Sequence, residues 1–98
     1  MDPSAVVDRI QDSLMSDPSL PRGFLATVLG SPALRDALQG YRDEAVDVLT
    51  HRPPDMESRL ATRKTAIVRA LPESHYSLER LLARASQEIL SVARSSST

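Results

Sequence analysis

Asp43, Asp47 and His51 fall four residues apart, a spacing that lines carboxylates and an imidazole along one edge of a helix. Such an edge can ligate a metal in a helical bundle when other helices contribute further ligands. Bundle sites of the ferritin type need a Glu-x-x-His spacing twice, and this chain contains it nowhere. His51 has a simpler role at a helix end, where a cation complements the dipole and Asp47 can pair with it. A second constellation, Ser74, His75, Tyr76 and Ser77, has the residue types of nucleophilic chemistry. That chemistry needs a spatially fixed base and an orienting carboxylate, and neighbours at a helix start rarely point at one another. Ser74 reads instead as an N-cap and Tyr76 as a side chain packing on the preceding helix. Cysteine is absent, and the three glycines (Gly23, Gly30 and Gly40) are too dispersed for a phosphate-binding loop. The chain is therefore read as a non-enzyme with no metal, no cofactor and no small-molecule substrate.

The segment "RLATRKTAIVRA" concentrates Arg59, Arg63, Lys64 and Arg69. At about 100° per residue, with Leu60 as origin, Arg59 and Arg63 lie on one flank of the apolar stripe, Lys64 on the other and Arg69 on the opposite face. These charges do not form one patch, so a solvated helix is expected, with cationic stems laid over the core edge. Arg59 and Arg63, four apart, remain a pair able to contact an acidic partner. Arg80, Arg84 and Arg94 are interleaved with Glu79 and Glu88, which dilutes any basic face for nucleic acid.

Two apolar residues lie outside the seams that their helices otherwise form. Val46 sits about 120° from Leu34, and Leu90 about 120° from Leu78. Either the helices bearing them are central and touch two neighbours, or these residues mark an exposed edge for a dimer or a heteromeric partner.

Helix signals position all of these residues, and no period-2 run argues for strands. Five helices are expected. The first starts with Asp2 as N-cap and Pro3 in the first turn, with Val6, Val7, Ile10 and Leu14 inward, and ends near Ser16. A short helix over about 21–29 carries Phe24, Leu25, Val28 and Leu29, and Gly30 is expected to close it in the left-handed conformation. Ser31 and Pro32 then open a helix over about 32–50, with Leu34, Leu38, Tyr41, Ala45, Val48 and Leu49 on one stripe. Gly40 within it costs about 1 kcal/mol against Ala, which close approach of a neighbouring helix would explain. "HRPPD" breaks the chain, since the residue before a proline is pushed out of the helical region. Helix four is expected over about 54–71, with Met56, Leu60, Ile67 and Leu71 inward. Pro72 marks a bend or stop. Helix five covers about 74–94, with Leu78, Leu81, Leu82, Ala85, Ile89, Val92 and Ala93 on one face. The stretch "IVRALPESHYSLERLL" resembles one helical segment of Rho GTPase-activating domains, in which a leucine-proline pair precedes a leucine-rich helix. Those domains are larger and carry an arginine-finger loop that has no counterpart in this chain, so the resemblance supplies neither fold nor function.

A chain of 98 residues suffices for one core, so residues 1–94 are read as a single domain and 95–98 as a frayed polar tail. Long helices joined by short connections imply an all-α, compact four- or five-helix bundle with antiparallel packing. Aromatic residues are only 3%, so the core must be aliphatic. The net charge of −1 offers no general attraction to nucleic acid or anionic membrane. It is unevenly spread: residues 1–20 carry four acids against Arg9, whereas residues 51–98 carry eight bases against five acids, so head and tail can attract each other. No stretch approaches the roughly 18 apolar residues of a membrane span, and the acidic start is unlike a secretion signal. Together with the missing cysteines, this points to the cytoplasm or to delivery into a host cytosol. Eleven arginines against one lysine suggest a GC-rich bacterial or viral genome. The function expected is non-catalytic protein–protein interaction, as an adaptor, regulator, chaperone-like subunit or delivered effector domain. The partner is another protein or a second copy, docked on Val46 and Leu90 with Arg59 and Arg63 at the rim. A small DNA-binding regulator is the alternative.

Overall fold

The computed structural model describes residues 2–20, 23–71 and 76–95, the side chains of Leu25 and Tyr76 excepted. Within them the chain forms α1 (Pro3–Met15), α2 (Phe24–Gly30), α3 (Pro32–His51), α4 (Met56–Ala70) and α5 (Tyr76–Ser95). The N-termini follow from local chemistry. The Asp2 carboxylate accepts the Ser4 amide at 3.1 Å with Pro3 behind it, and Ser31 Oγ accepts the Leu34 amide at 3.2 Å with Pro32 behind it. Each cap satisfies an amide that the helix itself leaves without an acceptor. The expected cap at Ser74, the stop at Pro72, the placement of His75, the helix-two start near Pro21 and the serine tail beyond Ser95 lie outside the described residues.

α1, α3, α4 and α5 are the four columns of an antiparallel bundle, and α2 rides on α3 within the first connection. The pairings fix the directions. Asp8 meets Arg42, Arg63 meets Glu44 while Arg59 meets Asp47, and Glu57 meets Arg94. In the last two helix pairs, positions rise along one helix as they fall along its neighbour: Asp47 pairs with Arg59 and Glu44 with Arg63, and Glu57 at the start of α4 meets Arg94 at the end of α5. Around the bundle the order is α1, α3, α4, α5, so sequence neighbours are spatial neighbours, as short connections require. The particle measures 41 × 22 × 20 Å, its long axis set by helices of 20 residues.

The core is one aliphatic cluster with Phe24 and Tyr41 as its described aromatic members. α3 buries Leu34, Leu38, Tyr41, Ala45, Val48 and Leu49, the full stripe expected from its periodicity. α5 buries Leu78, Leu81, Leu82, Ala85, Ile89 and Ala93, and it also buries Leu90. α4 buries only Leu60 and Ile67, with Met56 and Leu71 half-buried.

Two local expectations, at Gly30 and Gly40, need correction. Gly30 does not close α2 in the left-handed region: it is the last helical residue, and extended Ser31 turns the chain, because a residue capping the next helix must be extended. The left-handed positions among the described residues are Gly23 (φ 81°) and Arg52 (φ 47°). Leu29, one of the four apolar residues that the short helix carries, is 67% exposed, because α2 spans only two turns and its buried side is filled by Phe24 and Val28. At Gly40 the neighbour that approaches is a side chain rather than a helix backbone: a Cβ there would come within 3.1 Å of Arg63 Nη1.

Candidate functional site

The four residues singled out as docking elements separate on the structure. Leu90 is 1% exposed and belongs to the core, so it forms no exposed edge. The reason is the bundle's connectivity: α5 touches both α1 and α4, and its apolar arc must be wide enough for two seams. Val46 is half-buried and packed against the same cluster, and its carbonyl accepts the Thr50 hydroxyl at 2.7 Å.

Arg59 and Arg63 face α3, where they meet acids of their own chain. Arg59 Nε donates to Asp55 at 2.9 Å, and its Nη1 donates to Asp47 at 3.2 Å and lies 3.8 Å from Glu44. The Asp55 hydrogen bond, followed by the Asp55 charge, raises the Arg59 pKa above its usual value. Arg63 lies across Gly40, with its Nε 3.4 Å from Glu44. Glu44, with only 16% of its side chain exposed, is thus held between two guanidinium groups. This arrangement stitches α3 to α4 and commits both arginines as lateral clamps.

The Asp43, Asp47 and His51 edge is likewise divided among partners. His51 Nδ1 lies 2.8 Å from Asp47 Oδ1, the pairing expected at a helix end. The other Asp47 oxygen accepts from Arg59, and Asp43 accepts from Gln39 Nε2 at 2.9 Å. Among the described residues no three histidines or carboxylates gather around one point. Two further polar contacts cross the bundle. Arg42 donates to both oxygens of Asp8, at 2.8 and 3.3 Å, and to Ser4 Oγ at 2.8 Å. That hydrogen bond holds the Asp8 carboxyl below its ordinary pKa. The Tyr41 and Ser86 hydroxyls lie 2.6 Å apart, and burial pushes the phenol pKa upward.

The open surface lies elsewhere. Between α4 and α5 runs a groove of about 380 Å³. Leu60 and Leu90, each 1% exposed, form its floor, and half-buried Ser86 stands at its base. Its walls are small or polar: Glu57, Ser58, Ala61 and Lys64 on α4, with Ala83 and Gln87 on α5. Ala61 and Ala83 are exposed and withhold the bulk that would close the gap. A comparable groove of about 390 Å³ separates α1 from α5, with Arg9 and Ser13 on one wall and Glu88, Ser91 and Val92 on the other. A smaller cleft of about 250 Å³ sets Asp17 and Ser19 beside Arg80 and Arg84. There the Ser19 hydroxyl and amide hold the Asp17 carboxyl below its ordinary pKa, with a smaller contribution from the Arg84 charge.

Sequence periodicity pointed to Leu90 but not to the groove above it. A groove is made by what two helices lack on facing positions, and hydrophobic periodicity registers only what each helix buries. The available signal was the run of small residues Ser58, Ala61 and Thr65 beside a sparse apolar stripe. No helix of the described residues is long and apolar enough to cross a membrane. No protein-family model matches the chain, and neither a curated protein nor a solved structure shows significant similarity to it.

Proposed function

We propose that this chain is a non-catalytic protein–protein interaction module, an adaptor, regulator, chaperone-like subunit or delivered effector domain working in a cytoplasm, and that it binds through the α4–α5 groove. The observation that carries the reading is the groove itself: an opening between α4 and α5 whose walls are small or polar and whose base is closed by Leu60 and Leu90. A partner that fills the groove gains contact with Ala61 and Ala83 and must match the polar groups of Glu57, Ser58, Lys64 and Gln87, which selects for one complementary protein surface. The arginine clamps support the same reading, because Arg42, Arg59 and Arg63 hold α1, α3 and α4 together and leave the open seam on the α5 side.

Ala61→Arg tests it. Position 61 is exposed, so the substitution fills the groove while the bundle stays folded. Partner capture by the parent is expected to fail with the variant, and equal capture by both would refute groove binding. Duplex DNA is the competing ligand class. A gel shift that weakens steeply with salt would favour it over a protein partner, since phosphate contacts release counterions.

A further inference from the structure

The two charged residues on the α4 wall of the groove are Glu57 and Lys64, seven positions apart and so about 10 Å apart along the helix. On one helix face this spacing is too long for the two to pair with each other. Glu57 pairs with Arg94 at 3.9 Å, between side chains that are 71% and 60% exposed. Such an exposed pair contributes little and is readily exchanged. Ala61 lies beside their midpoint, which falls between positions 60 and 61. A pattern of acid, small residue and base, placed symmetrically about a centre, is self-complementary when a helix meets its own copy in antiparallel orientation. The acid of each then faces the base of the other, as a two-fold interface requires.

The exposed α4 face beside the groove also tolerates burial. The Thr65 hydroxyl donates to the Ala61 carbonyl at 3.0 Å, and the neighbouring Thr62 hydroxyl donates to that of Ser58 at 3.0 Å. Both hydroxyls therefore already have partners before any surface covers them. The α1–α5 groove does not place an acid and a base on one helix in this way: Arg9 and Glu88 stand on its opposite walls.

Building on the groove reading, we propose that the occupant is α4 of a second copy of this chain. It packs antiparallel about a two-fold axis beside Ala61, so that Glu57 and Lys64 of each copy face Lys64 and Glu57 of the other. The dimer is isologous, and its charge pairs set orientation and register while the exposed small wall residues Ala61 and Ala83 let the two copies approach.

Sedimentation equilibrium over a concentration series tests this with Glu57→Lys and Lys64→Glu. Each substitution alone places like charges opposite each other twice and should weaken self-association at least about tenfold. An equimolar mixture of the two variants restores both opposite-charge pairs, so it should associate as a heterodimer to within a few-fold of the parent. Glu57 is 71% exposed and Lys64 sits on the groove wall, so both variants should keep the parent's helical circular dichroism. Ala61→Arg blocks the axis sterically and gives an independent route to the same monomer. A parent that stays monomeric at every concentration would overturn the proposal. So would a dimer indifferent to both charge reversals, or single variants that fail to recover on mixing. The partner-capture comparison with Ala61→Arg is a separate readout, so a monomeric parent would remove the second copy as occupant without deciding whether the groove binds another protein.

Discussion

Single residues in this bundle show how local cost is offset by contact. Gly40 interrupts α3, and the atom that would meet an added Cβ is the far end of the Arg63 side chain, which is 48% exposed and able to shift. Gly40→Ala should therefore stabilise the fold by about 0.5–1 kcal/mol, the helix-propensity gain, at the expense of the long Arg63 to Glu44 contact. Denaturant unfolding measures the gain, and a loss of stability would mean that Arg63 cannot move. Tyr41 presents the reverse case. Its hydroxyl is the partner of half-buried Ser86, so Tyr41→Phe should destabilise by about 1 kcal/mol by leaving the serine unsatisfied. The raised phenol pKa means that the neutral form is favoured on folding. Stability is then complete below the ordinary tyrosine pKa and falls as pH rises from there through the folded value. Arg52, at φ 47°, occupies a region costly for a side chain, and Arg52→Gly should raise the melting temperature.

Helices were legible wherever periodicity, caps and proline agreed. Every buried residue of α3 could be named from spacing, and the Asp2 with Pro3 and Ser31 with Pro32 starts were read from side-chain chemistry. What spacing could not supply was the number of neighbours a helix touches. Leu90 lies outside the α5 seam that faces α1 and α3, and only the position of α4 makes it core. Leu90→Asp should accordingly unfold the bundle, because an unpaired carboxylate in that seam costs more than a domain of this size can absorb. Circular dichroism decides the matter, and a folded variant would contradict the packing described. The clamps between elements were also partly hidden: Arg59 and Arg63 were visible as a pair, but their acids lie on another helix. Between α1 and α3, the Asp8 carboxyl is held below its ordinary pKa by Arg42. Its stabilising effect is present at neutral pH and is lost as pH falls below the ordinary carboxylate range and through that lowered value. Asp8→Asn should thus be less stable than the parent at neutral pH, and the difference should close in acid, as urea titrations at several pH values would show.

At the scale of the whole molecule, the polarity of the sequence is resolved by the antiparallel bundle. The acidic first helix lies along α5, where Asp17 shares a cleft with Arg80 and Arg84, while Asp8 takes its partner from α3. Among the described residues three seams carry ion pairs; the shortest pair joins α1 to α3, and the most extensive network joins α3 to α4. The α4–α5 seam has a long Glu57–Arg94 pair at its end and an open groove along its length. The candidate site was illegible for that reason: it is a property of a helix pair, produced by small residues that no single-helix pattern marks. Amide hydrogen exchange of the parent, compared at low and high protein concentration, tests the groove most directly. The account predicts that concentration slows exchange within residues 57–65 of α4 and 83–87 of α5, and little elsewhere. Slowing centred instead on the exposed Leu29 end of α2, or none at any concentration, would contradict self-association through the groove.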